Sequence, residues 1–159
     1  MTSADTADTP VRAPQRRLDL PKLSPAFYKA MNALDQAASA GLDPLLLELI
    51  KIRASQLNGC AFCLDMHTQD ALAKGEQAHR LNTLAAWRET PYFTERERAA
   101  LALTESVTLL ADTHVPDEVY DEAALRFSDE ELAQVIAMAV AINAWNRIGV
   151  TTRLSPPAR

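Results

Sequence analysis

A chain of 159 residues, 48% hydrophobic and 23% charged, has apolar side chains for one buried core and too little length for two ordinary domains. Sixteen Lys and Arg against twenty-one Asp and Glu give a net charge of -5 and a pI near 5.2. With no basic stripe above that background, nucleic-acid and membrane-surface roles are excluded, leaving small molecules or proteins as the expected partners.

Residues 1–17 mix Thr, Ala, Asp and Pro before Arg16-Arg17, a composition that buries little surface and reads as a flexible arm. The opening stretch has no apolar run and carries Asp5 and Asp8, so it is neither a secretory signal nor a transit peptide, and no later stretch reaches membrane-spanning length. These features imply a cytoplasmic, reducing location. From Leu18 onward helical periodicity dominates, glycines number four in all, and no strand alternation appears. The expectation is an all-α domain over 18–152 with a short tail at 153–159. Helices are predicted at about 24–40, 43–58, 60–74, 77–87, 94–112, 116–126 and 129–151.

In the second helix Asp43-Pro44 supplies a capping acid ahead of a proline at the first helical position. Leu45, Leu46, Leu49, Ile50, Ile52 and Leu57 make its broad apolar face. Glu48 lies at the margin of that face and, from this helix alone, reads as a solvated surface acid; if buried, desolvation would raise its pKa and a cationic neighbour would lower it. Arg53 falls in the middle of the face, where an unpaired guanidinium is costly, and an intramolecular ion pair is the expected solution.

Asn58-Gly59 interrupts the chain and places Cys60 near the N-terminus of the third helix. Cys60 and Cys63, the two cysteines of the chain, are three apart, so on a helix they share a face and lie within disulfide range. His67, four residues beyond Cys63, projects to the same side. A helix N-terminus favours the thiolate of Cys60 and an adjacent imidazole that of Cys63; we rank Cys63 first because a positioned base also moves protons during turnover. A lone Cys-x-x-Cys in a reducing compartment points to catalysis or metal binding rather than to a structural disulfide. Glu48, Cys60, Cys63 and His67 are all possible zinc ligands, but no second Cys/His pair exists to complete a structural site, so no metal and no cofactor is expected.

Beyond the pair, Gly75 closes an alanine-rich run and Ser128-Asp-Glu-Glu131 has the form of a capping box. His79 lies among polar residues and reads as a surface histidine; His114 belongs to an interhelical turn. The last helix is apolar nearly all round, through Val135, Ile136, Met138, Ala139, Val140, Ile142 and Trp145, as expected of a helix buried in the fold or between subunits. Asn143, Asn146 and Arg147 interrupt it and are expected to find their partners across a subunit interface.

The pattern Glu48-x11-Cys60-x2-Cys63-x3-His67, with helix on both sides, resembles the core of alkylhydroperoxidase D (AhpD) and its relatives in the carboxymuconolactone decarboxylase superfamily. The likeness runs over about residues 20 to 152 and includes Ala85-Ala-Trp-Arg-Glu-Thr-Pro91, Glu95-Arg-Glu-Arg-Ala-Ala-Leu101 and Ile142-Asn-Ala-Trp-Asn-Arg147. The resemblance implies an all-helical homo-oligomer, trimer or hexamer, with cofactor-free peroxidase chemistry. It implies Cys63 as the peroxidatic cysteine, Cys60 as its resolving partner, Glu48 and His67 as a proton relay, a hydroperoxide as substrate, and an external dithiol, lipoamide-type or other, as reductant. The alternatives are a cofactor-free decarboxylase or lactone-acting enzyme of the same superfamily, and a non-enzymatic dithiol sensor. The sequence departs from the alkylhydroperoxidase D pattern at Phe62, where those proteins carry histidine; the phenyl ring either makes the pocket more apolar, favouring organic over hydrogen peroxide, or fills the core, and the core is the expected place.

Overall fold

The computed structural model describes residues 14–157. The expected arm therefore lies mostly outside the described residues. Its last residue, Arg17, donates its backbone N–H to the Thr152 carbonyl at 2.9 Å and its guanidinium to the Thr151 carbonyl.

The helices run in the order α1 (Leu20–Leu23), α2 (Pro25–Ala38), α3 (Pro44–Asn58), α4 (Ala61–Ala73), α5 (Ala78–Thr83), a 3-10 segment (Leu84–Glu89), α6 (Glu95–Thr108), α7 (Leu110–Thr113), α8 (Asp117–Arg126) and α9 (Asp129–Thr152), with no strand among the described residues. The predicted starts hold where their chemistry is explicit. Asp43 accepts from the backbone N–H groups of Leu45 and Leu46 ahead of Pro44, and both bonds of the Ser128–Glu131 capping box form.

Three details depart from the periodicity. A single turn, α1, forms where Asp19 accepts from the Lys22 N–H and Pro21 occupies the first turn. The helix predicted through residue 87 gives way to 3-10 turns, with Ala86 out of helical φ/ψ, which drops the Trp87 indole under α6 to donate to Glu105 at 2.8 Å. The helix predicted over 94–112 breaks at Leu109, just after Thr108 turns its hydroxyl to the Asn143 amide of α9.

α3 is the centre of the fold: Leu46 to Ile52, Ala54 and Ser55 are all buried, against α9 on one side and α4 and α6 on the others. One apolar cluster joins α3 to α6, α8 and α9 through Leu47, Ile50, Leu103, Val135 and Met138. A second joins it to α4, α5, the 3-10 segment and α6 through Leu49, Ile52, Ala71, Leu81, Leu84, Trp87 and Leu101. Arg53 finds the expected ion pair, its Nε donating to Glu105 at 2.7 Å, so the carboxylate also held by Trp87 and Arg88 pins α3, α6 and the 3-10 segment together. Because both ends of the α3–α4 turn are fixed by packing of this kind, the cysteines it carries have little room to move.

Candidate active site

The α3–α4 turn is a Schellman motif. Gly59 sits in the left-handed region at φ 65°, its N–H donates to the Gln56 carbonyl, and the N–H of Cys60 reaches back to Ser55 at 3.0 Å. A glycine is required there because a side chain at that φ is strained. The same geometry makes Cys60 the N-cap of α4 and puts Cys63 one turn on, so Asn58-Gly59-Cys60 ends one helix and starts the next on a thiol.

Both thiols are free and buried, at 1% and 4% exposure, and each lines a different space. Cys63 faces a cavity of about 260 Å³ with Phe62, Met66 and His67 from α4, Tyr28, Asn32 and Asp35 from α2, and Trp145 from α9. Tyr28 and Trp145 meet edge to face at 5.3 Å and form its aromatic wall. Cys60 faces a wider, more open cleft of about 610 Å³ between the start of α4 and the C-terminal segment Arg153 to Pro157. Phe62 is only half-buried and lines the first cavity beside Cys63, so the expectation that it fills the core is corrected.

Gly149 of α9 stands between the two spaces and lines both. A Cβ there would lie 2.8 Å from the Cys60 sulfur and 3.8 Å from that of Cys63, so the helix passes the thiol pair where no other residue fits without displacement. Two turns and one turn earlier on the same face, Asn143 and Asn146 each accept from the Asn58 amide at 2.9 Å, and Asn146 donates to Ser55 Oγ. Asn143 also donates to Thr108 and to the Ala139 carbonyl. Arg147 donates to Asn143. The expectation that these three residues are satisfied across an interface is corrected: their partners lie within the chain, and the asparagines clamp the cysteine turn onto α9.

Glu48 is 1% exposed, not a solvated surface acid, because α3 is buried nearly all round rather than on one face. Its Oε2 meets His67 Nδ1 at 3.0 Å, its Oε1 accepts from Lys74 Nζ at 2.5 Å, and Lys51 Nζ stands at 3.8 Å. Burial alone would raise its pKa, but the bonds from His67 and Lys74 and the charge of Lys51 outweigh that and bring it down to about 2. An ionised carboxylate can only accept, so His67 carries a proton on Nδ1, and in the neutral ring Nε2 is the nitrogen with the lone pair.

The thiols divide in the opposite sense to the sequence ranking. The hydrogen bond from the Cys63 thiol, opposed by burial and aided by the backbone of Cys63 and Phe62 and the Asn146 side chain, holds Cys60 below the ordinary thiol range. The same contact and burial push Cys63 well above it. When the pair loses a proton the charge therefore falls on Cys60, as an N-cap position favours, with Cys63 donating to it.

Glu48, His67 and Asp70 are the residues that could converge on a metal among the described ones, their ligand atoms within 4.8 Å of one another. Both Glu48 oxygens are already engaged, one by an ammonium group, so a cation would have to displace Lys74. Neither cysteine belongs to that group. Lys51, Lys74, Asn58, Asn146 and Gly149 were not legible as site residues. Lys74 stands two turns beyond His67, and Asn143, Asn146 and Gly149 recur every three residues as small or polar positions in an otherwise apolar helix, which are the signals that could have found them.

The helices hold a buried Cys-x-x-Cys at an N-cap with a Glu–His pair beside it, and comparison with known proteins identifies the family. The Carboxymuconolactone decarboxylase family matches residues 25–106, from α2 through most of α6. Uncharacterized protein YdfG of Bacillus subtilis is 38% identical over 136 residues, 85% of this chain and 92% of that one. A crystal structure of a protein of unknown function from Agrobacterium tumefaciens, provisionally described as the antioxidant defence protein AhpD, is 40% identical with a TM-score of 0.89, covering 91% of this chain and all of the other. The debrominase Bmp8 shares the fold with a TM-score of 0.74 at 20% identity, covering 86% of this chain and 74% of its own. The protein is an AhpD-like member of the carboxymuconolactone decarboxylase superfamily.

Proposed function

We propose that the protein is a thiol-dependent peroxidase acting on organic hydroperoxides, with Cys63 as the peroxidatic cysteine and Cys60 as its resolving partner. The observation that carries this reading is placement: Cys63 lines the aromatic-walled cavity together with His67, while Cys60 stands outside it within reach of Cys63.

In the reduced enzyme the Cys60 thiolate takes the Cys63 proton, and the Cys63 thiolate attacks the terminal peroxide oxygen. The O–O bond breaks, Cys63 becomes a sulfenic acid, and the leaving alkoxide takes the proton now on Cys60. Cys60 thiolate then attacks the Cys63 sulfur; the S–O bond breaks, and the hydroxide leaves as water with a proton passed through His67 Nε2. Two thiols and a hydroperoxide give a disulfide, an alcohol and water. Glu48, ionised throughout, fixes the His67 tautomer rather than carrying the proton itself, which narrows its role in the relay.

The apolar walls and modest volume suit a small alkyl hydroperoxide better than a large lipid one. An external dithiol, lipoamide-type or other, reopens the disulfide. The protein works in the cytoplasm as a homo-oligomer, trimer or hexamer, for which exposed Phe27, Leu34, Val140 and Val150 supply apolar contact surface.

The test is intact mass and free-thiol count of reduced protein after brief exposure to stoichiometric cumene hydroperoxide. Loss of two hydrogens and both thiols, reversed by a dithiol and absent in Cys63→Ser, is expected. Two thiols still free after exposure would reject the reading.

A further inference from the structure

We infer that the cleft on the Cys60 side is a separate reductant site, one that admits a small dithiol bearing a carboxylate and directs its attack to Cys60. The inference deepens the proposed function and rests on its redox cycle. Cavity and cleft meet different cysteines: Cys63 lines the first, Cys60 the second, and Gly149 and Leu154 line both and form the wall between them.

Thiol–disulfide exchange requires the incoming sulfur to approach in line with the bond it breaks, from the side of the attacked sulfur away from its partner. The cleft is lined by Cys60 and not by Cys63, so a reductant held in it has Cys60 as its accessible target. Leaving-group acidity alone would favour the reverse attack, because Cys60 is the better leaving thiolate, so access is what decides here.

When the pair is a disulfide the cleft carries a charge of one sign. Arg153 is its charged lining residue, surrounded by Gly59, Ala61, Val150 and the proline-rich end of the chain. No described residue pairs with its guanidinium, in contrast to Arg53, Arg80, Arg88 and Arg96, each of which holds a carboxylate. Its backbone is left-handed, at φ 55°, in the position after α9 where glycine is the unstrained choice. A strained arginine without a partner, at the mouth of a space that ends on a redox sulfur, fits recognition of an anion.

The exchange balances without further reagents. A reductant thiolate forms a bond to Cys60 Sγ, the Cys60–Cys63 bond breaks, and Cys63 leaves as a thiolate that is then protonated. The reductant's second thiol loses its proton and attacks the first sulfur, expelling Cys60 thiolate. The dithiol is oxidised to a cyclic disulfide and the protein disulfide is reduced.

The experiment forms the protein disulfide with diamide, so that it can be read even if hydroperoxides fail to oxidise the pair, and follows its reduction by dihydrolipoate and by dihydrolipoamide. These probes share one dithiol and differ by a carboxylate, so their rate ratio within each variant cancels general damage to the fold. An exposed pair predicts about two- to fivefold faster reduction by dihydrolipoate at low salt. That preference disappears in Arg153→Ala and inverts in Arg153→Glu. In parallel, an anionic aromatic disulfide should modify Cys60 in Cys63→Ser faster than Cys63 in Cys60→Ser. Equal rates for the two reductants in all three proteins, or faster modification of Cys63, would overturn the inference.

Discussion

Replacing Gly149 with alanine sets two effects of known sign against each other. Alanine inside a 24-residue helix is favoured over glycine by about 1 kcal/mol, so an uncrowded site would gain stability. Here the added methyl would lie 2.8 Å from Cys60 Sγ, closer than carbon and sulfur can approach, and the sulfur belongs to a short side chain on a turn fixed by Gly59 and the asparagine clamp. Overpacking of this kind costs about 1–3 kcal/mol, which predicts a net loss of about 1 kcal/mol for reduced protein. Urea unfolding under reducing conditions measures it. Repeating the substitution in Cys60→Ala, which removes the sulfur and leaves the helix unchanged, should turn the loss into a gain of about 1 kcal/mol. The reasoning is refuted if Gly149→Ala stabilises both backgrounds alike, because the glycine would then have no steric relation to the thiol.

Two further predictions follow from the electrostatics. Glu48 folds with a pKa near 2 against an ordinary value of 4.5, so its stabilisation is complete above pH 4.5 and is lost as pH falls toward 2; the shift corresponds to about 3 kcal/mol, and acid titration of Glu48→Gln should lack that loss across the window. Cys60 is held low chiefly by the Cys63 thiol, so in Cys63→Ser, whose hydroxyl is a poorer proton source, the pH midpoint for alkylation of Cys60 should move up toward the ordinary thiol range; a midpoint that stays put or falls would assign the effect to the helix terminus alone.

What the sequence made legible was local. Asp43-Pro44, Asn58-Gly59 and Ser128 to Glu131 each contain their own hydrogen-bond instructions within four residues, and the helices begin or end where those instructions say. The breaks at Ala86 and Leu109 were not legible because their cause is distant: Trp87 turns to reach Glu105, and Thr108 turns to reach Asn143. The site divides in the same way. Cys60, Cys63 and His67 share one short helix, and their proximity follows from spacing. Lys74 at Glu48 joins residues 26 apart, and Asn146 at Ser55 joins residues 91 apart. Periodicity carries no information about such pairs.

The burial of Glu48 explains more of the site than its pKa. A carboxylate buried on α3 must be fully hydrogen-bonded, and each partner it recruits loses a freedom the chemistry could otherwise have used. Lys74 is tied to Oε1, which leaves that oxygen no vacancy for a metal ion without loss of the ammonium group. His67 is tied to Oε2 through Nδ1, which commits the ring to one tautomer and one orientation. Of these groups, only His67 keeps an unassigned position, Nε2, on a ring that lines the cavity with Cys63. With no second histidine at Phe62, the proposed cycle routes its protons through this nitrogen and the Cys60 thiolate. The Asn58, Asn143 and Asn146 clamp matters for the same reason: in the proposed cycle a proton passes between the two sulfurs, which depends on the turn holding them in contact.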